Sequence, residues 1–330
     1  MSLGPGARGV QTVDELLAGA THREIIVDSA GKSGAILERV RIDGKPYVVK
    51  YIDRTRDWTM RAAGSLRGVS FELWLRGLFD ALPPCFLQPI VGVAREDMTV
   101  LLMDDVSEWL FPVTDQPISL DDHLRVLDHM AALHAALWET TADFDVVPAM
   151  HRYLDLSPWT AEAEAALGDP PLVPQLIAKG WPLLREVAPA AYDVVLPLAL
   201  DPGPLVEALA STPQTFIHGN FKLDNLGVTP DGRTVLLDWE ISGLGACTAD
   251  LAWYLSINCR RLPHSKEAAI DSYRQSLEGH GVSTEGWWDR QLGLALLGAL
   301  VQFGWEKAFS GYDDELRWWE TRALEGAALL

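Results

Sequence analysis

At 330 residues the chain can bury a large core and hold two lobes, and 48% apolar with 22% charged side chains is an ordinary globular balance. No apolar run approaches the roughly 20 residues of a membrane span, the N-terminus lacks the basic flank and apolar stretch of a secretory signal, and Cys85, Cys247 and Cys259 are scattered, which argues against a disulfide framework or metal cluster and for a reducing cytosol. The net charge of −19 falls almost wholly on residues 106–330, with 14 basic and 32 acidic side chains against 13 and 14 in residues 1–105; this argues against nucleic acid and anionic membranes as partners and fits either a cationic small molecule or a solvated acidic surface.

Taken in chain order, residues 1–10 are glycine-rich and expected to fray, and a short helix is expected over 13–18. Strand patterns then cover 24–28, 35–42 and 47–52. The Asp43-Gly44 pair between the last two is a hairpin signal. An amphipathic helix fits 70–81, stopped by Pro83-Pro84, and strands fit 86–93 and 99–103. This makes a small antiparallel sheet of about five strands with one helix. After Asp104-Asp105-Val106 the pattern turns helical, first over 119–138, where Ser119 and Asp122 give a capping signal. Helices follow over 161–167, 174–186, 192–209, 249–258, 265–278, 286–309 and 314–329, with the strand-like segment 215–238 alone among them. A small β-rich lobe (1–105) followed by a larger helical lobe (106–330) is an α+β architecture.

The chemistry concentrates in a few loops. Lys50 lies on the strand Tyr47-Val48-Val49-Lys50-Tyr51, where its ammonium can be held against phosphate oxygens. The loop Gly31-Lys32-Ser33-Gly34 can bring backbone N–H groups to phosphates. It is not a P-loop, because Ile26 stands where that motif needs glycine and a strand follows instead of a helix. Glu72, on the one amphipathic helix expected in the first lobe, could pair with Lys50. The most specific stretch is 218–240. His218-Gly219-Asn220-Phe221-Lys222-Leu223-Asp224-Asn225 is followed by the turn Asp231-Gly232 and by Val235-Leu236-Leu237-Asp238-Trp239-Glu240. The turn would return Asp238 to Asn225, a carboxylate and an amide oxygen of the kind Mg2+ takes together with substrate phosphates. Lys222 can reach a γ-phosphate from between them. His129 and His134, five apart, have the wrong spacing for a shared metal and read as packing residues, as do most of the 13 tryptophans; some tryptophans could stack on a substrate cation. Asp250 opens a helix and reads as a cap.

The order of these parts, with a Leu-Leu-Met-Asp-Asp hinge and a later Asp-Leu-Ala, resembles the aminoglycoside phosphotransferase and choline kinase family, over about residues 24–255. The resemblance implies a protein kinase-like two-lobed fold and an ATP- and Mg2+-dependent transfer of phosphate to a hydroxyl of a small acceptor, either a metabolite, cationic ones included, or an aminoglycoside-like antibiotic. Lys50 would then contact the α- and β-phosphates and pair with Glu72. Backbone groups of Asp104 and Val106 would hold adenine, Asn225 and Asp238 would ligate Mg2+, and Asp250 would brace the 218–220 turn. The departure is Asn220, where the family keeps a catalytic aspartate. An amide is a far poorer proton acceptor, and general-base help is worth about 10²–10⁴-fold in rate. The alternatives are a slow or rewired kinase with Asp224 or Glu240 as base, a nucleotide-binding pseudoenzyme acting as sensor or scaffold, and an altered copy of an active enzyme.

Overall fold

The computed structural model describes residues 9–27, 32–64, 68–140 and 146–330. The first part of the chain forms α1 (Val13–Leu16), β1 (Thr21–Ile25), β2 (Ile36–Ile42), β3 (Lys45–Ile52), α2 (Trp58–Ala62), α3 (Val69–Leu75), β4 (Phe86–Leu87), β5 (Ile90–Arg95) and β6 (Thr99–Asp104). Five of these strands make one antiparallel sheet in the order β1-β2-β3-β6-β5. The β2–β3 hairpin turns on Asp43 (φ 50°) and Gly44 (φ 80°), the left-handed pair that matches strand twist. One face of the sheet packs Val40, Val49, Val100 and Leu102 against Leu16 and Leu17, at the end of α1. Ile52, Val93 and Leu101 join the main core instead.

The remainder is α4 (Leu120–Ala136), α5 (Ala149–Leu154), α6 (Pro158–Ala166), α7 (Leu172–Val187), α8 (Pro189–Leu200), α9 (Gly203–Ala210), β7 (Thr215–Ile217), β8 (Leu226–Val228), β9 (Thr234–Leu236), β10 (Gly243–Gly245), α10 (Cys247–Ile257), α11 (Lys266–Gly279), α12 (Trp288–Lys307) and α13 (Asp314–Ala327). Helix α12 is buried almost all round from Leu294 to Trp305, as its nearly uninterrupted apolar sequence requires, and α7, α8, α10 and α13 pack on it. The fold is α+β and protein kinase-like, a small antiparallel sheet lobe on a mainly helical lobe.

The differences from expectation have local causes. The first strand lies at 21–25 instead of 24–28, and residue 28, like Gly31, lies outside the described residues. The helix expected over 70–81 ends at Leu75, and Gly77 (φ 69°) starts a separate 3-10 turn. The strand expected over 86–93 is broken at Pro89, which has no N–H to give a ladder. Its first piece, β4, leaves the sheet and pairs parallel with β9, so residues before 105 also build the larger lobe. The helix expected over 192–209 breaks at Asp201-Pro202 into α8 and α9. The short helices α2 and α5 carry too little periodicity to be legible.

Candidate active site

Strand β7 is fully buried and delivers His218 to the turn that carries the chemistry. Asp250, in the first turn of α10, accepts the His218 N–H at 2.8 Å on Oδ2 and the Gly219 N–H at 2.7 Å on Oδ1. Behind it His134 Nε2 lies 3.1 Å from Oδ2, and His134 Nδ1 meets the Tyr273 hydroxyl at 2.6 Å. Burial opposes the Asp250 charge, but its bond and attraction to His134 prevail and hold the carboxyl below its ordinary value. Gly219 turns with φ 82°, and a Cβ there would collide with Arg152 Nη1 and Ile241 O. His218 Nδ1 accepts the Asn220 N–H at 3.1 Å and Nε2 donates to Leu237 O at 3.0 Å, which sets the neutral Nε2–H tautomer. Burial pushes its pKa down to about 4. From the far end of α10, Asn258 accepts the Leu223 N–H and donates to Phe221 O, both at 2.9 Å. The loop is therefore held at both ends by one helix.

The hairpin β8–β9 then returns the chain. Leu237 N–H donates to Asn225 O at 2.9 Å, which places Asp238 beside the loop in a left-handed conformation (φ 63°). Both Asp238 oxygens are engaged: Oδ1 with Lys50 Nζ at 2.5 Å, and Oδ2 with the Asn220 amide Nδ2 at 2.9 Å. Asn225 Nδ2 donates to Asn220 O at 3.3 Å, so the amide oxygen is the donor atom it has left. Burial disfavours the Lys50 charge, but the Asp238 and Glu240 carboxylates outweigh it and hold the ammonium above its ordinary value. The same attraction keeps the Asp238 carboxyl low despite its burial.

These groups share a cavity of about 670 Å3 between the lobes, lined also by Ser33, Asp104, Val106, Lys222, Asp224 and Glu240. A depression of about 780 Å3 beside Arg274, Trp287 and Trp288 holds none of the expected site residues. Lys222 Nζ pairs with Asp224 Oδ2 at 2.6 Å, and Arg261 Nη1 meets Oδ1 at 3.3 Å, so Asp224 sits between two cations. Ser33 Oγ accepts the Ala35 N–H at 3.3 Å; Gly34 (φ 105°) packs on Arg56 O and does not line the cavity. Glu72 is buried on α3 away from the cavity lining, and the ion pair Lys50 makes is with Asp238 instead of Glu72. Glu240 takes the place next to that helix: Oε2 accepts the Val69 N–H at 2.9 Å, tying the Asp-Trp-Glu segment to the start of α3. Burial raises the Glu240 pKa against the pull of Lys50.

Sequence reasoning missed Asn258, Arg261, Arg152 and Asp155. A signal existed for Asn258: Asp250, Tyr254 and Asn258 make a polar stripe at i, i+4, i+8 on an otherwise apolar α10. His129 and His134 are packing residues as expected, bonded to Thr234 and Tyr273, and Asp250 braces the turn instead of capping a helix. Among the described residues no helix is long and apolar enough to cross a membrane.

The model of the APH phosphotransferase enzyme family matches residues 108–282, just over half the chain, and the protein belongs to that family. Solved structures share the fold at low identity. The choline kinase LicA from Streptococcus pneumoniae is 14% identical with a TM-score of 0.51, covering 96% of each chain. The Plasmodium vivax ethanolamine kinase is 12% identical with a TM-score of 0.52, covering 96% of this chain and 84% of that one. A microcompartment-associated aminopropanol kinase is 14% identical with a TM-score of 0.51, covering 97% and 92%. No curated protein matches the sequence. The class is thereby defined: this chain is a member of the phosphotransferase enzyme family with the kinase-like fold.

Proposed function

We propose that this phosphotransferase moves the γ-phosphoryl group of ATP, with Mg2+, to a hydroxyl of a small acceptor bearing a cationic group. The observation that carries the reading is the convergence of Lys50, 188 positions before Asp238, with Asn220, Asn225 and Asp238 on one interlobe cavity of a phosphotransferase-family chain. An all-oxygen donor set fits Mg2+: Asp238 supplies a carboxylate already drawn to N–H donors on both oxygens, and Asn225 an amide oxygen. The ion would neutralise phosphate charge there. Lys50 would bind the α- and β-phosphates and Lys222 the γ-phosphate, with adenine on the backbone of Asp104 and Val106. Supporting nucleotide use, LicA has been solved in complex with AMP. The cavity is also lined by the aromatic side chains of Trp253, Phe303 and Trp305 and by Asp155 and Glu306, groups that attract a cation, and the acceptor would take that part of it.

Titration calorimetry with Mg·ADP, and ADP release from ATP across amino alcohols, amino sugars and nucleosides, test this reading. Asp238→Ala is expected to abolish Mg2+-dependent nucleotide binding and to lower kcat/KM by at least about 100–1,000-fold. Unchanged binding in that variant refutes the assignment of Asp238. The second reading, a nucleotide-binding pseudoenzyme, is favoured by the amide at 220 itself. Nucleotide binding without turnover of any acceptor, with turnover gained in Asn220→Asp, establishes it.

A further inference from the structure

The kinase reading leaves one role unfilled, since no carboxylate stands at position 220 to take the acceptor's proton. The Asn220 amide is in any case occupied, donating to Asp238 Oδ2. Among the described residues lining the cavity, the other carboxylates are nearly all engaged. Asp104 pairs with Lys45 at 2.5 Å and Asp105 with Arg39 at 3.1 Å. Asp224 lies between Lys222 and Arg261, and Glu306 pairs with Lys307 at 3.1 Å. Of the two candidates that sequence reasoning offered as substitute bases, Asp224 is held between two cations, and Glu240 gives Oε2 to the Val69 N–H while its Oε1 is buried without a partner under the pull of Lys50.

Asp155 differs. It caps the C-terminal end of α5, is 9% exposed and makes no ion pair within 4 Å among the described residues; its Oδ1 has no hydrogen-bond partner, while the Leu156 N–H and the Gln302 side chain favour the charge on the carboxylate. A buried acceptor atom left without a donor is costly, so a ligand O–H that reaches it gains more than an exposed one would. Its helix is docked on the catalytic loop. The Arg152 guanidinium packs against Gly219, the residue before Asn220, and the Arg152 carbonyl accepts a bond from Gln302 of α12 at 2.7 Å. Asp155 therefore lines the same cavity as Asn220, Asp238, Trp253 and Phe303.

Resting on the kinase reading, we propose that Asp155 is the catalytic base of this enzyme, standing in for the missing carboxylate at 220. The acceptor hydroxyl donates to Asp155; as its oxygen bonds to the γ-phosphorus, the bond from that phosphorus to the β,γ-bridging oxygen breaks. The proton passes to the Asp155 carboxylate, and ADP leaves with the electron pair. Burial, opposed by the nearby Arg152, pushes the Asp155 pKa up to about 7, so the group exchanges protons at neutral pH. The charged group that acts on it is Arg152 of its own helix; Glu306, paired with Lys307, lines the same cavity.

The test compares wild type with Asp155→Asn, following ADP release from Mg·ATP with water and with saturating ethanolamine as acceptors, from pH 5 to 9, beside Mg·ADP calorimetry and thermal melting. The expected result is a folded Asp155→Asn protein with unchanged Mg·ADP affinity, unchanged acceptor KM, and kcat lower by about 100-fold or more. The fall in wild-type rate below about pH 7 should disappear in the variant. Asp155→Glu, which keeps a carboxylate, should retain more activity than Asp155→Asn. An active wild type whose Asp155→Asn variant keeps kcat within threefold, or loses only through acceptor KM, overturns the role of Asp155 alone. A wild type that binds Mg·ADP but releases no ADP with ethanolamine or with any amino alcohol, amino sugar or nucleoside of the panel, or that binds no nucleotide, overturns the kinase reading and this assignment with it.

Discussion

The two ends of the interlobe cavity are built on opposite terms. At the phosphate end the charged groups are answered, with Glu240 Oε1 the exception: Lys50 by Asp238, Asp238 by Lys50 and Asn220, Lys222 by Asp224, and the loop backbone by Asp250 and Asn258. At the acceptor end Asp155 Oδ1, Arg152 Nη2 and the indole nitrogens of Trp253 and Trp305 are buried without a hydrogen-bond partner. A fully satisfied network rigidifies a site and makes its geometry independent of the ligand. Unsatisfied groups cost stability until a ligand supplies the missing partner, which is where a binding surface differs from a scaffold.

Three measurements break or sharpen this contrast. The largest effect is expected at the phosphate end. Asp250→Asn leaves two loop N–H groups with one acceptor oxygen between them and removes the charge beside His134, so the unfolding free energy should drop by about 3–5 kcal/mol in urea titrations. A loss under 1 kcal/mol would show that the loop does not depend on its brace.

Next comes the acid side. His218 and His123 are buried with pKa values pushed down to about 4, below their ordinary 6.5. The unfolded chain takes up protons that the folded one refuses, so stability is full above about pH 6.5 and declines as pH falls toward 4. The limit is about 3 kcal/mol for each histidine. Asp238 and Asp250, whose carboxyls are held low in the fold, add in the same direction. Unfolding curves that superimpose at pH 7 and 5 contradict these burials.

The third effect rests on a single group and has the opposite sign. The Asp155 pKa is raised from 3.8 to about 7, so ionisation costs the folded state increasingly as pH rises from 4 to 7. Asp155→Asn should then be more stable than wild type at pH 8, by up to about 4 kcal/mol, with the gain vanishing near pH 4. A less stable variant at pH 8 would mean that Arg152 needs that charge and that the acceptor end is a structural pair.

Much of the phosphate end was legible because its grammar is local. Asp43-Gly44 turns a hairpin, Ser119 caps α4 through the Asp122 N–H, and residues 218–225 and 238 lie on a loop and the hairpin that returns to it. Lys50 was legible as a lysine on a strand, but its pairing with Asp238 rather than Glu72 spans 188 positions and is decided by how two lobes meet. Glu240 lies outside any local rule for α3, yet it caps that helix. Asp155 gave no sign at all: a short helix with little periodicity acquires its place only when α12 and the catalytic loop pack around it.

The sequence by itself determined an α+β kinase-like chain, its β-rich beginning and helical remainder, and the loop and hairpin that bring Asn225 and Asp238 together, since turn chemistry and hydrophobic period act over a few residues. Tertiary structure alone decided which carboxylates keep a partner and which are left to meet a ligand. Burial and ion pairing depend on side chains that the chain order holds more than a hundred residues apart.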